Sequence, residues 1–256
     1  MKNLLAGLII LVFVAFSVEN VNAQSDQPKP KFMIWELELT PIQMEKAKKA
    51  VKAQNAFLKE KNYPISNLSQ TTNEGYFWYS IPFTNYADID EIMATRNKLW
   101  KENSDKLKEL QENSKGSYTT ISRFILELQP ELSVLPEPGT VSSGDRYRVF
   151  QRFHILPDKL EEFMEITKEY IALRKKQGVT ANFYTLTTAF GHDLDIVYFI
   201  DEMGENPAEH FTQNEKFWQE VGEEGSKLWQ KAAPLLDKTE VFHGQVHYDL
   251  SYFPSN

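Results

Sequence analysis

Cysteine is absent from this chain of 256 residues. The protein therefore forms no disulfide bond, and it has neither a thiol nucleophile nor a thiolate ligand for a metal. Long apolar runs are absent as well, because the longest, Leu4–Phe16, has 13 residues, whereas a membrane-spanning helix needs about 20. We therefore expect the fold to depend on its hydrophobic core.

The short apolar run has the flanks of an export signal. Lys2 precedes it and Val21-Asn22-Ala23 follows it, a pattern that signal peptidase accepts. We expect cleavage near Ala23, export to a periplasm or the cell exterior, and no stable membrane insertion afterwards. An uncleaved N-terminal anchor is the alternative. Because no cysteine follows the run, lipoprotein processing is excluded.

An excess of basic residues is also lacking, since the formal net charge is −8. Residues 24–133 hold 15 basic and 15 acidic side chains, and residues 134–256 hold 12 and 20. Nucleic-acid binding depends on Lys and Arg contacts to phosphate, so this distribution argues against a nucleic-acid partner. It gives no support for binding to an anionic membrane surface either.

The sequence contains no G-x-G-x-x-G, no Walker loop and no G-x-S-x-G elbow, and we expect no cofactor. His243 and His247 have the spacing of a zinc pair on a helix, but they fall in a strand pattern. Four strand residues span roughly 13 Å, so the two rings cannot share one ion directly. We predict no metal site.

The clearest pattern that is present runs from Arg146 to Gly178. Residues 148–156 alternate as a strand does, with apolar side chains on one face and Gln151 as the exception on that face. Pro157 ends the strand, and Asp158 with Glu161 has the spacing of a capping box. An amphipathic helix follows, and Gly178 is typical of the left-handed residue beyond a helix.

A second copy of this pattern lies at Lys31–Asn62, where Pro41 corresponds to Pro157 at an offset of 116 residues. Thr40 and Gln43 provide a capping box there. Both copies continue with a hairpin, a helical region and a last strand. Lys98–Glu102 resembles Lys216–Glu220, so Trp100 matches Trp218, with Trp229 as the rival match.

The order in each half, β-α-β-β-α-β, is the ferredoxin-like plan. We predict an α+β fold in which two tandem ferredoxin-like repeats pack sheet to sheet as an α/β barrel within one chain. The predicted boundaries are a signal peptide at 1–23, a leader at 24–30, repeat 1 at 31–128, a linker at 129–145 and repeat 2 at 146–252.

The candidate site is a polar face on the first and last strands of the repeats. We predict that it carries Arg148, Arg152, His154, His243, His247 and, from repeat 1, Glu36. Buried charges persist when they are paired and hydrogen-bonded. These residues therefore form either a network of salt bridges or a polar cavity between the sheets that holds a small ligand.

The strand, proline and amphipathic helix that open each copy resemble the dimeric α/β-barrel superfamily. The second copy, YRVFQRFHILPDKLEEFMEITKEYIALRKKQGV, with its hairpin and Phe-Trp helix, is similar to the NIPSNAP and antibiotic-biosynthesis-monooxygenase branches. The resemblance implies the fold, and its members include cofactor-independent oxygenases and haem-degrading oxygenases. It assigns no catalytic residue here.

Three functions stay open at this point. The first is an exported binding module of unknown activity, which the sequence favours over catalysis. The second is a cofactor-independent monooxygenase or isomerase for an aromatic compound, with His154 or His210 as proton carrier. An apolar cleft between helices and sheet that contains a histidine would favour this second function. The third is a structural subunit of an envelope or secreted assembly, and homo-oligomers are compatible with all three.

Overall fold

The computed structural model describes residues 28–136, 146–192 and 194–254. The predicted signal peptide, most of the leader and the second half of the predicted linker lie outside the described residues. The described residues form two compact units. The first comprises residues 28–124 and 246–254, and the second comprises the described residues between 125 and 245.

The elements follow the predicted order, and the two halves repeat it. They are β1 Lys31–Glu38, α1 Pro41–Glu60, β2 Asn67–Thr72, β3 Tyr76–Phe83, α2 Ala87–Glu102, α3 Ser104–Ser114, β4 Thr120–Leu128, β5 Arg146–Ile155, α4 Leu160–Lys176, β6 Phe183–Phe190, β7 Ile196–Asp201, α5 Pro207–Ala232 and β8 Leu236–Tyr252.

Each unit contains an antiparallel sheet in which the first strand pairs with the third. In the first unit β1 pairs with β3, which places Trp35 opposite Tyr79. In the second unit β5 pairs with β7, which places Gln151 opposite Phe199. The hydrogen-bonded strand order is β1-β3-β2-β8-β5-β7-β6-β4 and it is closed. The predicted fold class, an α+β chain that forms an α/β barrel by itself, is confirmed.

The local signals at the start of the first unit act as predicted. Pro41 occupies the first turn of α1, where a missing N–H costs nothing. The N–H of Thr40 donates to the Gln43 side-chain oxygen at 2.8 Å. Gly75, in the hairpin between β2 and β3, has φ of 96°, and a Cβ there would lie 2.4 Å from the Leu39 carbonyl oxygen. Only glycine fits this turn.

The capping box predicted in the second unit is wrong. Helix α4 begins at Leu160 after Lys159, and Asp158 lies in a left-handed turn with φ of 62°. Pro157 stops the strand, and the left-handed Asp158 then reorients the chain before the helix starts, so its side chain does not cap. The predicted left-handed glycine after the helix is confirmed, because Gly178 has φ of 69°.

The core of the second unit lies between its sheet and the helices α4 and α5. Burying each large apolar side chain stabilises the fold by roughly 1.5–3 kcal/mol. The buried members of this cluster are Phe153, Ile155, Phe163, Ile166, Ile171, Phe183, Val197, Phe199, Ala232 and Leu235.

The first residues of the predicted linker lie against β6 within the second unit. The N–H of Gln129 donates to the Thr185 carbonyl at 2.9 Å, and Val134 forms a β-bridge with Phe183. Leu132 is buried. Residues 129–134 are therefore packed onto the sheet.

Candidate active site in the second unit

A cavity of about 480 Å³ lies between the helix-facing side of the second unit's sheet and the helices α4 and α5. Its volume is within the range of small-molecule sites. Seven of its 20 lining residues are aromatic, and the three of these that lie on α5 are also exposed. The aromatic lining residues are Phe153, Phe163, Tyr170, Phe199, Phe211, Trp218 and Trp229.

Helix α5 lines the cavity in two segments because it is kinked at Gly222, whose φ of 44° and ψ of −117° are not helical. The side chain of Asn206 caps the first segment by accepting from the Glu209 N–H at 3.0 Å. His210, Asn214 and Trp218 follow at intervals of four residues, so they lie on one face of this segment. All three line the cavity.

His210 is a buried polar residue of the cavity wall. Its side chain is 4% exposed, and its Nδ1 atom has no hydrogen-bond partner among the described residues. Burial lowers the pKa of His210, and the negative charge of Asp201 partly opposes that effect. The imidazole is therefore neutral near neutral pH and can accept a proton.

A second histidine of the cavity wall is held by a tyrosine. The Tyr147 hydroxyl and His243 Nδ1 are 2.7 Å apart, and their rings stack at 6.3 Å with an angle of 16°. The Tyr147 ring also meets His210 edge-on at 5.4 Å. Two imidazoles of the cavity wall, those of His210 and His243, thus contact one phenol, that of Tyr147.

A buried ion pair forms another part of the wall. Arg174 of α4 is fully buried and donates to both carboxylate oxygens of Asp201, at 3.0 and 3.4 Å. Its guanidinium also lies 4.7 Å from the centre of the Phe183 ring. Burial raises the pKa of Asp201, and Arg174 opposes that rise. The pair adds a polar group to the cavity without leaving an unpaired charge.

The arginines and the histidine predicted on β5 lie on the opposite face of the sheet, where they form ion pairs. Arg148 contacts Glu202, which also accepts from Asn182 at 2.7 Å. Burial would raise the pKa of Glu202, but Arg148 and Asn182 hold it below its usual value. Glu240 lies 2.8 Å from His154 and 3.8 Å from Arg152. These contacts form a salt-bridge network, and a ligand role for the three residues stays a prediction.

His243 does not share that face, and the prediction that it does is wrong. Strand β8 turns Glu240 toward His154, so His243, three residues later, points to the other side of the sheet. His247 belongs to the first unit, where its Nε2 lies 2.7 Å from the Thr71 hydroxyl. Glu36 of the first unit is buried and accepts from the Trp78 indole at 2.7 Å.

Besides His210, six polar residues of the cavity wall are not among the predicted site residues: Gln151, Thr167, Tyr170, Asp201, Asn214 and Thr239. His210 was considered only as one proton carrier of the enzyme alternative. A usable signal was present in α5, where a histidine, an asparagine and a tryptophan recur at helical spacing. The cavity position of Asp201 had no such signal, because the acid ends an ordinary strand.

Within the described ranges, no group of three His, Asp or Glu side chains is placed to hold a metal ion. In the same part of the chain, no helix is both long and apolar enough to cross a bilayer.

Comparison with solved structures identifies the fold. An anthrone oxidase-like protein matches with a TM-score of 0.57 and 14% identity, over 87% of this chain and 93% of that one. A proposed monooxygenase from Fusobacterium nucleatum subsp. nucleatum matches at 0.55 and 11%, over 86% and 93%. Another from Lactobacillus acidophilus matches at 0.53 and 10%, over 89% and 97%.

These proteins belong to the dimeric α/β-barrel superfamily. The chain has its fold. No protein-family model matches the chain, and no curated protein matches its sequence. The likeness to the NIPSNAP branch therefore stays a prediction.

Proposed function

We propose that the second unit is an oxygenase that acts on an aromatic compound without a bound redox cofactor, with His210 as its general base. The observation that carries the proposal is a buried imidazole in the wall of a cavity that seven aromatic side chains line. This is the cleft with a histidine that would favour the enzyme alternative. The aromatic walls suit a planar ring system.

The chemistry begins with a proton transfer. A CH₂ group flanked by two aromatic rings that are conjugated to a carbonyl, as in anthrone, is acidic, so a histidine base can remove one proton and generate a carbanion. That carbanion is electron-rich enough to react with O₂ directly, and the substrate itself is the reductant. A second proton is lost as the O–O bond breaks, so that R₂CH₂ and O₂ give R₂C=O and H₂O.

The surroundings of His210 support this role. Its lowered pKa keeps the base unprotonated, and the nearby Asp201 carboxylate stabilises the imidazolium that forms. The Tyr147 and His243 pair beside His210 offers a second group that can carry a proton. Support also comes from the fold, because an anthrone oxidase-like protein and two proposed monooxygenases share it.

The test uses anthrone and 1,8-dihydroxyanthrone in air-saturated buffer. We expect the wild-type protein to form the anthraquinone and to consume one O₂ for each product, above the rate of spontaneous oxidation. His210→Gln should lower kcat by about 10²–10⁴-fold, the usual effect of losing a general base. His192→Gln, in the turn between β6 and β7, is the control of the same residue type.

The pH dependence of kcat/KM is a second test of the role of His210. Because the pKa of His210 is lowered, kcat/KM should rise with pH below about 6.5 and level off above it. If both compounds bind the cavity but no O₂ is consumed, the protein is a binding module and the oxygenase proposal fails. Equal rates for His210→Gln and wild type would remove His210 from the mechanism.

Export to a periplasm or the cell exterior is part of the same proposal, supported by the N-terminal pattern.

A further inference from the structure

Gln151 interrupts the apolar, helix-facing side of β5. Its neighbours on that side, Val149 and Phe153, line the cavity with it. The Gln151 side chain is half-buried, and its amide makes no hydrogen bond to any residue that the structure describes. The amide atoms are not buried, so they are available to a ligand, and no contact in the described residues explains a polar side chain at this position.

The equivalent position of the first unit holds a tryptophan. Trp35 corresponds to Gln151 at the offset of 116 residues, and it lies opposite Tyr79 as Gln151 lies opposite Phe199. The Trp35 ring packs 6.5 Å from Tyr79 and lies under the guanidinium of Arg96 at 4.4 Å. A large apolar ring therefore fits at this point of the fold, and the glutamine is not required by the strand.

A second unpaired amide lines the same cavity. Asn214 lies one helical turn after His210 on α5, and its side chain also makes no hydrogen bond within the described ranges. The cavity thus combines aromatic walls with two amides and a neutral imidazole. Amide N–H groups donate to oxygen, and the phenylalanine side chains of the wall cannot.

We propose that Gln151 is the residue that recognises the ligand, by donating a hydrogen bond from its side-chain amide to a carbonyl or phenolate oxygen. The ligand class is therefore an oxygenated polycyclic aromatic, a ketone or a phenol, and not an aromatic hydrocarbon. The kinetic part of this inference rests on the proposed oxygenase. When His210 removes a proton from a carbon that is conjugated to a carbonyl, negative charge moves to that oxygen, and a donor fixed in place stabilises it.

Binding of three matched probes tests the inference without any turnover. They are 1-tetralone, which only accepts a hydrogen bond, 1-naphthol, which donates and accepts, and naphthalene, which does neither. Their dissociation constants are measured by fluorescence titration and calorimetry on wild type, Gln151→Met and Gln151→Glu. Gln219→Met, an exposed glutamine of α5, is the control.

Wild type should bind 1-tetralone and 1-naphthol at least tenfold more tightly than naphthalene. Gln151→Met should weaken 1-tetralone about tenfold, the effect of one net hydrogen bond, and change naphthalene by less than twofold. Gln151→Glu keeps the size but loses the donor, so it should weaken 1-tetralone and retain 1-naphthol. Gln219→Met should behave as wild type.

Equal losses for 1-tetralone and naphthalene in Gln151→Met would overturn the inference, because the side chain would then act through shape. A fall in melting temperature of more than a few degrees in both Gln151 variants would also overturn it, because the amide would then be structural. Such a fall is not expected, since the amide has no protein partner.

The two proposals fail separately. If the Gln151 variants lose the preference for oxygenated probes and no anthrone is oxidised, this inference stands and the oxygenase proposal falls. If anthrone is oxidised and Gln151→Met changes neither kcat/KM nor the preference by more than twofold, this inference alone is wrong.

Discussion

The buried ion pair of the second unit leads to the most quantitative prediction. Replacing Arg174 by Met keeps most of the side-chain volume but leaves the Asp201 carboxylate without its partner. The Arg174 side chain is fully buried and that of Asp201 is 15% exposed. Breaking a buried pair by removing one partner costs about 3–5 kcal/mol, because an uncompensated charge remains. We expect Arg174→Met to lower the free energy of unfolding by that amount.

Two further variants test whether this loss of stability comes from the buried ion pair. Lys176, two residues later on α4, pairs with Glu224 at 2.9 Å, but both side chains are more than 60% exposed. Lys176→Met should therefore cost less than about 1 kcal/mol. The double variant Arg174→Met with Asp201→Asn removes both charges. It should be less destabilised than the sum of the two single variants by at least 1 kcal/mol.

The assay is urea unfolding followed by tryptophan fluorescence and by circular dichroism, with coincident transitions required before free energies are extracted. A cost of less than 1 kcal/mol for Arg174→Met would show that the carboxylate finds another partner or takes up a proton. Strict additivity in the double variant would show that the two side chains do not interact. Either result would refute the reasoning from the buried pair.

Two other predictions concern α5. Gly222→Ala should lower the free energy of unfolding by about 1–3 kcal/mol, because the φ of 44° and ψ of −117° at Gly222 are accessible mainly to glycine. An equal loss of stability in Gln219→Ala would contradict this prediction. The lowered pKa of His210 means that the unfolded chain binds a proton more readily than the folded one. Stability should therefore rise with pH from the folded-state pKa up to about 6.5, and His210→Gln, measured by thermal unfolding across that range, should remove that increment.

The helices, strands and their order could be predicted from the sequence because their signals are local. Pro41 marks the start of α1 and Gly178 marks the end of α4, through backbone chemistry that no distant contact alters. Asp158 shows the limit of such signals. The spacing of Asp158 and Glu161 fits a capping box. In the turn after Pro157, however, Asp158 adopts a left-handed conformation, and its side chain does not cap α4.

The residues of the candidate site could not be predicted from local sequence signals, because strand pairing decides which side chains meet. Alternation along β8 correctly separates its two faces, but only the pairing with β5 decides which face meets Arg152 and which meets the helices. That choice places Glu240 beside His154 and turns His243 into the cavity. A shift of one residue in register exchanges the two faces, so the sequence pattern alone cannot make this choice.

By itself, the sequence determined the repeated β-α-β-β-α-β order and the polar exception at Gln151, because side-chain periodicity and turn residues act over a few positions. Only the tertiary structure decided that the second unit contains a cavity and that His210 is buried in it. The physical reason is that a cavity is space left by side chains from several elements, and its size depends on how the strands and the kinked α5 pack together.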